Sequence, residues 1–159
     1  MLSVQPIRVE EAAGKAQYFA QEAREGYYTE GGEPPGTWRG QAAEYLGLKG
    51  NISEDQLNRL FRGAHPETGE ALVLNAGAEH KPGWDCTFSA PKTVSTIWAV
   101  ANPDLQLAIS EAQDRAVQAG IAYLEDHALF HRFGPSGHER IPAQNALVAT
   151  FEHATSRNG

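Results

Sequence analysis

Trp84-Asp85-Cys86-Thr87-Phe88-Ser89-Ala90-Pro91-Lys92-Thr93-Val94-Ser95 carries a strand signal into a helix signal without a spacer. In the strand half, Trp84, Cys86 and Phe88 share one face, and Asp85, Thr87 and Ser89 the other, because successive side chains alternate. In the helix half, Ser89 is a candidate cap and Pro91 suits a first turn, so the sequence predicts a helix to about Ala101. The pair Asn102-Pro103 breaks it. A longer helix is expected from about Asp104. Its buried stripe is predicted at Leu105, Ile109, Ala112, Ala116, Gly120, Leu124 and Ala128, which recur at helical spacing.

Upstream, Leu2–Val9 reads as a strand in which Pro6 marks an edge or irregular position. Glu10–Arg24 is rich in good helix formers and Gly26 is placed to close it. Gln41–Leu46 reads as a short helix stopped by Gly47. Ser53 with Gln56 three residues on is a capping box, opening a helix to about Arg62. Ala64–Gly69 is turn-rich, and Ala71–Asn75 is expected to be a strand. Downstream, Gly134–Gly137 is a turn. Gln144–His153 reads as a final strand with Leu147, Ala149, Phe151 and His153 on one face. Strands and helices mix without strict alternation. The expected class is α+β, with a mainly antiparallel sheet flanked by helices.

Bulk properties bound the function. The chain has 159 residues, enough for one domain with a core, and a formal net charge of −7. That balance argues against a broad nucleic-acid surface, although a local basic cleft can sit on an acidic body. A single cysteine, Cys86, cannot form an internal disulfide, which points to a reducing compartment. The start lacks a basic, then apolar, signal pattern, and no apolar run reaches the ~20 residues that span a bilayer. The expected location is the cytoplasm.

The candidate chemistry lies in four places. Tyr18, Tyr27 and Tyr28 form a dense aromatic group around a helix end. They read either as an aromatic face packed on a sheet or as phenolic nucleophiles. A phenol has a pKa of about 10 and needs help to attack a phosphodiester. Asp85, between Trp84 and Cys86, is badly placed for plain solvation. It reads as a structural hydrogen-bond acceptor, or as a proton acceptor or orienter of a histidine. His153 ends the last strand with Arg157 beyond it, but a metal site needs three or four ligands. Lys92 in a helix first turn suits a phosphate, or is only part of a well-capped helix. His127 and His131 lie four apart, yet Ala128 stands where the zinc helix motif has Glu; that pair reads as a surface feature of the helix end.

These segments occur together in one family. Trp84–Ser95 resembles the D-x-T-F-S-A-P-K-S-V-S motif of the TrwC/TraI-type (MobF) conjugative relaxases. The opening Met1-Leu2-Ser3-Val4, the tyrosine groups, Trp38–Leu48 and Phe151-Glu152-His153-Ala154-Thr155-Ser156-Arg157 are similar to further family segments. The resemblance implies a palm-like fold with a five-stranded antiparallel sheet. It implies site- and strand-specific nicking at a plasmid origin of transfer through a tyrosine–5′-phosphate intermediate, initiating conjugation. Tyr18 would be the first nucleophile and Tyr27 would serve the later strand transfer, with Tyr28 beside it. Asp85 would take a proton or orient a ligand. His153 would be the first of three histidines on a divalent ion, Mg or Mn. Lys92, Arg157 and Tyr28 would lie near DNA. Position 19 is Phe where members often carry a second Tyr.

The family continues two residues past Ser-Arg into D-P-x-L-H-x-H, which brings the other two histidines. Asn158-Gly159 fills that spacer. Residues 1–159 are therefore expected to be the N-terminal portion of one relaxase domain, incomplete at its C-terminus, holding metal weakly and nearly inactive alone. Expected partners are single-stranded DNA at the origin and conjugation accessory proteins, and an exposed sheet edge would favour self-association. The alternative is a non-catalytic remnant that binds single-stranded DNA or a protein.

Overall fold

The computed structural model describes residues 1–22, 34–134, 138–143 and 145–153. Its elements run in the order β1 (Leu2–Ile7), a 3₁₀ turn (Val9–Glu11), α1 (Ala12–Glu22), β2 (Thr37–Arg39), α2 (Gln41–Tyr45), α3 (Glu54–Phe61), β3 (Gly83–Phe88), α4 (Lys92–Val100), α5 (Pro103–His127), β4 (Phe130–Phe133), β5 (Glu139–Pro142) and β6 (Val148–Thr150). The α+β class stands, with helices and small antiparallel sheets. Among the described residues the strands form three two-stranded ladders, β1 with β3, β2 with β6, and β4 with β5, not one five-stranded sheet. The strands are short, three to six residues each. Pro6 and Pro142 offer no N–H for a further ladder bond.

The chain divides into two compact units. One comprises Met1–Gln5 and Asp85–Asn145. Here Met1 and Ser89 exchange two hydrogen bonds: the Met1 amine donates to the Ser89 carbonyl at 2.6 Å, and the Ser89 N–H to the Met1 carbonyl at 2.8 Å. A mutual exchange of this kind is the antiparallel pattern. Helix α5 opens where expected, one residue early, at Pro103. The Asn102 side chain accepts from the Leu105 N–H at 2.9 Å, a local cap. Its packed side matches the hydropathy stripe only in part: Ile109, Gly120 and Leu124 are half-buried. Leu105 is exposed, as are Ala112, Ala116 and Ala128, and Ile121 and Glu125 are the buried residues. Amides explain the rotation. Gln106 donates to the Trp98 carbonyl at 3.1 Å and Gln113 to the Phe88 carbonyl at 3.3 Å, so two polar residues face inward.

Two further expectations are corrected in this unit. Ser89 does not cap α4; the capping residue is Pro91, and no side-chain cap bond forms. His131 is not on a helix with His127. The helix ends at His127, and His131 sits in β4 opposite Ile141. The β4–β5 hairpin was unexpected. It places Arg132 directly opposite Arg140.

The other unit comprises Pro6–Trp84 and Ala146–Gly159. Its core gathers Ile7, Ala16, Trp38, Ala43, Leu48, Ile52, Leu57 and Phe61. Leu57 is fully buried, which alone stabilises by about 2 kcal/mol. The capping box of α3 is present in both directions: the Ser53 hydroxyl accepts from the Gln56 N–H, and the Gln56 side chain accepts from the Ser53 N–H. Helix α2 is capped by Leu46, and Gly47 turns with φ of 69°, a left-handed conformation that glycine adopts without strain. The turn after α3 is tied down by Arg59, which donates to the carbonyls of Pro66 and Glu67. Ala71–Asn75 is not a strand; beyond a single bridge from Ala71 to Ala64 it is bends and turn, and Leu74 is wholly exposed. The final strand is shorter than expected, Val148–Thr150, paired antiparallel with β2 in the register Thr37 to Thr150, Trp38 to Ala149 and Arg39 to Val148. Leu147, Ala149 and Phe151 pack on the core, as their alternation predicted.

Candidate functional site

Helix α1 and the strand β6 bring Tyr18 and His153 together. The buried Ala16 and Ala20 let α1 lie close against the core, because a methyl side chain keeps the helix axis near its neighbour. Tyr18 and Phe19 follow on the flank of that face and are half-buried. Just past β6, Phe151 packs on the core, and His153, two residues on, is exposed.

The rings form one connected group. Tyr18 and His153 centroids are 6.1 Å apart with planes at 37°. Phe19 lies 6.2 Å from His153 at 30°. Phe19 stacks on Phe151 at 5.0 Å and 15°, and meets Tyr18 edge-on at 5.4 Å and 65°. Stacked and edge-to-face pairs are each worth about 0.5–1.5 kcal/mol beyond area burial. A phenol hydroxyl and an imidazole therefore share one partly open surface.

The remaining candidates fall elsewhere. Asp85 is half-buried in β3 and Cys86 beside it is exposed. Burial, then the Asp85 carboxylate, pushes the Cys86 thiol above its ordinary value. Lys92 is exposed at the first position of α4. These two belong to the first unit, whereas Tyr18 and His153 belong to the second. Tyr27, Tyr28 and Arg157 lie outside the described residues. Among the described residues no group of three His, Cys, Asp or Glu side chains is placed to hold a metal ion. His153 alone does not make a metal site, since three or four ligands are needed.

Sequence reading did not assign a role to Phe151 or Gly36. Gly36 is buried, and a Cβ built there would stand 2.3 Å from the Phe151 ring. The signal available was weak: Phe151 precedes His153 by the two residues that put both on one strand face.

The known proteins this chain is similar to include conjugation proteins. The chain is 33% identical over 161 residues to the multifunctional conjugation protein TraI of Escherichia coli (strain K12), covering 99% of this chain and 9% of that protein. A second Escherichia coli TraI is 34% identical over the same span. Among solved structures, conjugative relaxase TrwC in complex with oriT DNA, in its metal-bound form, superposes with a TM-score of 0.75 at 28% identity, over 99% of this chain and 52% of that one. The metal-free complex gives 0.70 at 26%, over 99% and 51%. The chain thus spans about half of the solved relaxase chains and 9% of the curated relatives. With the TrwC relaxase profile matching residues 12–159, this chain belongs to the TrwC relaxase family.

Proposed function

We propose that this chain is part of a single relaxase domain that nicks one DNA strand at an origin of transfer, with Tyr18 as the first nucleophile. The observation that carries the reading is the 6.1 Å approach of the Tyr18 and His153 rings. Support for the substrate comes from TrwC structures solved with oriT DNA, including a 27-mer with the recognition hairpin and the cleavage site.

The Tyr18 Oη attacks the scissile phosphorus as its proton leaves. The bond from phosphorus to the 3′-oxygen breaks, the 3′-hydroxyl departs with a proton, and the 5′-phosphate stays on the tyrosine. The phosphodiester is exchanged rather than hydrolysed, so the strand can be rejoined. Tyr27, with Tyr28 beside it, would take over the strand in the later transfer. Asp85 would accept the phenolic proton or orient an imidazole. Lys92 and Arg157 would contact phosphates, and exposed aromatic faces would stack on unpaired bases. A divalent ion, Mg or Mn, would supply charge neutralisation at the phosphate, with His153 as one ligand. The described residues supply no full ligand set, so metal binding and nicking by this chain alone are expected to be weak. Conjugation accessory proteins are expected partners, and self-association through an exposed sheet edge is a further expectation.

The test is a covalent one. A labelled single-stranded oligonucleotide bearing the cognate nick site, incubated for hours with manganese, should give a slowly forming, detergent-resistant adduct. Tyr18→Phe should remove it, since the phenol oxygen is the attacking atom. An adduct that persists in Tyr18→Phe moves the nucleophile to another residue.

A further inference from the structure

We propose that Phe151 is a positioning residue: seated against Gly36 and stacked on Phe19, it holds the Tyr18 phenol and the His153 imidazole on one shared surface. The idea rests on Tyr18 and His153 being the functional pair, and its test is made without DNA so that the two can fail separately.

Three observations converge on Phe151. Its ring lies parallel to Phe19 at 5.0 Å, which fixes the flank of α1 from which Tyr18 projects. It stands two residues before His153, and both rings lie against Phe19, at 5.0 Å and 6.2 Å, so the seat of Phe151 bears on where the imidazole falls. Gly36 leaves the space the ring occupies: a Cβ there would come within 2.3 Å of Cε1, 2.7 Å of Cδ1 and 2.8 Å of Cζ. Contacts that short force the ring to move. Gly36 is needed here for room and not for an unusual backbone angle. A core-filling ring would need only bulk at this position. The stack on Phe19, the contact of Phe19 with Tyr18 at 5.4 Å and the approach of Phe19 to His153 at 6.2 Å need a flat aromatic in one orientation. Placement matters because a misplacement of about 1 Å at a reacting group can cost on the order of a hundredfold in rate.

The experiment is proton NMR of the full 159-residue chain, reading the cross-relaxation peak between the Tyr18 and His153 rings beside the melting curve. The wild type and Phe19→Tyr, which keeps a ring in the stack, should show the peak. Phe151→Leu, which keeps apolar volume but removes the flat ring, should lose it while the chain stays folded. Gly36→Ala should lose it too, by driving the ring from its seat. Should Phe151→Leu fail to fold, Phe19→Leu removes the same stack from the helix side and should likewise lose the peak. An unchanged Tyr18–His153 peak in folded Phe151→Leu or Phe19→Leu overturns the proposal and leaves Phe151 as core filler, as does absence of the peak in the wild type. Tyr18→Phe has no bearing on these readouts, so a wrong nucleophile and a wrong positioning residue give different results.

Discussion

Cys86 shows how a neighbouring charge acts even at the surface. The thiol is exposed, yet the protein around its sulfur raises its pKa through desolvation first and through the Asp85 carboxylate second. A raised pKa leaves less thiolate at a given pH, and the thiolate is the reactive species. Asp85→Asn removes the second cause only, so the pKa should fall part of the way back. Alkylation by iodoacetamide at pH 8 should then speed up, since more of the thiol is ionised. An unchanged rate would mean that burial alone sets the thiol. The candidate residues were legible to different degrees. Asp85 and Lys92 sit in a contiguous motif, and their strand and helix positions followed from local pattern. Tyr18 and His153 were legible as neighbours only through the family resemblance, because their approach depends on how α1 and the segment after β6 pack on one core.

Among the elements, the contact of α5 with β3 decides whether helix propensity or packing wins. Gly120 lies in α5 with the Phe88 ring over it, and a Cβ there would stand 2.6 Å from Cε1 and 3.1 Å from Cζ. Alanine is favoured over glycine within a helix by about 1 kcal/mol. Overpacking a fitted contact costs about 1–3 kcal/mol. Gly120→Ala should therefore destabilise by on the order of 1 kcal/mol in urea unfolding, and pairing it with Phe88→Leu should recover part of that loss. A gain in stability would show that the ring swings aside freely. Hydropathy placed Gly120 on the packed side but missed its polar neighbours. Elements set by local chemistry, such as the helix opened by the Ser53–Gln56 box, were legible because their partners lie within three residues. The packed side of α5 was not, since Gln106 and Gln113 face inward to reach distant carbonyls. The β4–β5 hairpin escaped notice because its strands are four residues long and carry opposed arginines, a pairing that alternation rules disfavour. Ala71–Asn75 has strand-like composition, but among the described residues no neighbouring strand lies alongside to accept it.

At the scale of the whole molecule, an acidic chain is proposed to hold a polyanion. The net charge is −7, from 13 Lys and Arg against 20 Asp and Glu. Phosphate contacts release counterions, so the logarithm of affinity for a single strand falls with the logarithm of salt at a slope of about −0.7 per phosphate neutralised. Base stacking on aromatic faces adds affinity that salt barely touches. A chain with few basic residues to spare, and rings of Tyr18, Phe19 and His153 gathered at one surface, should rely on the second contribution. The anisotropy of a labelled single-stranded oligonucleotide, titrated from low to physiological salt, should give a slope shallower than about −2, equivalent to about three phosphates at most. Binding should weaken more when Phe19 is replaced by Leu than when salt is doubled. A slope of −4 or steeper would instead require a basic groove concentrated on one face, strong enough to override the acidic balance, and stacking would then be a minor part of the grip.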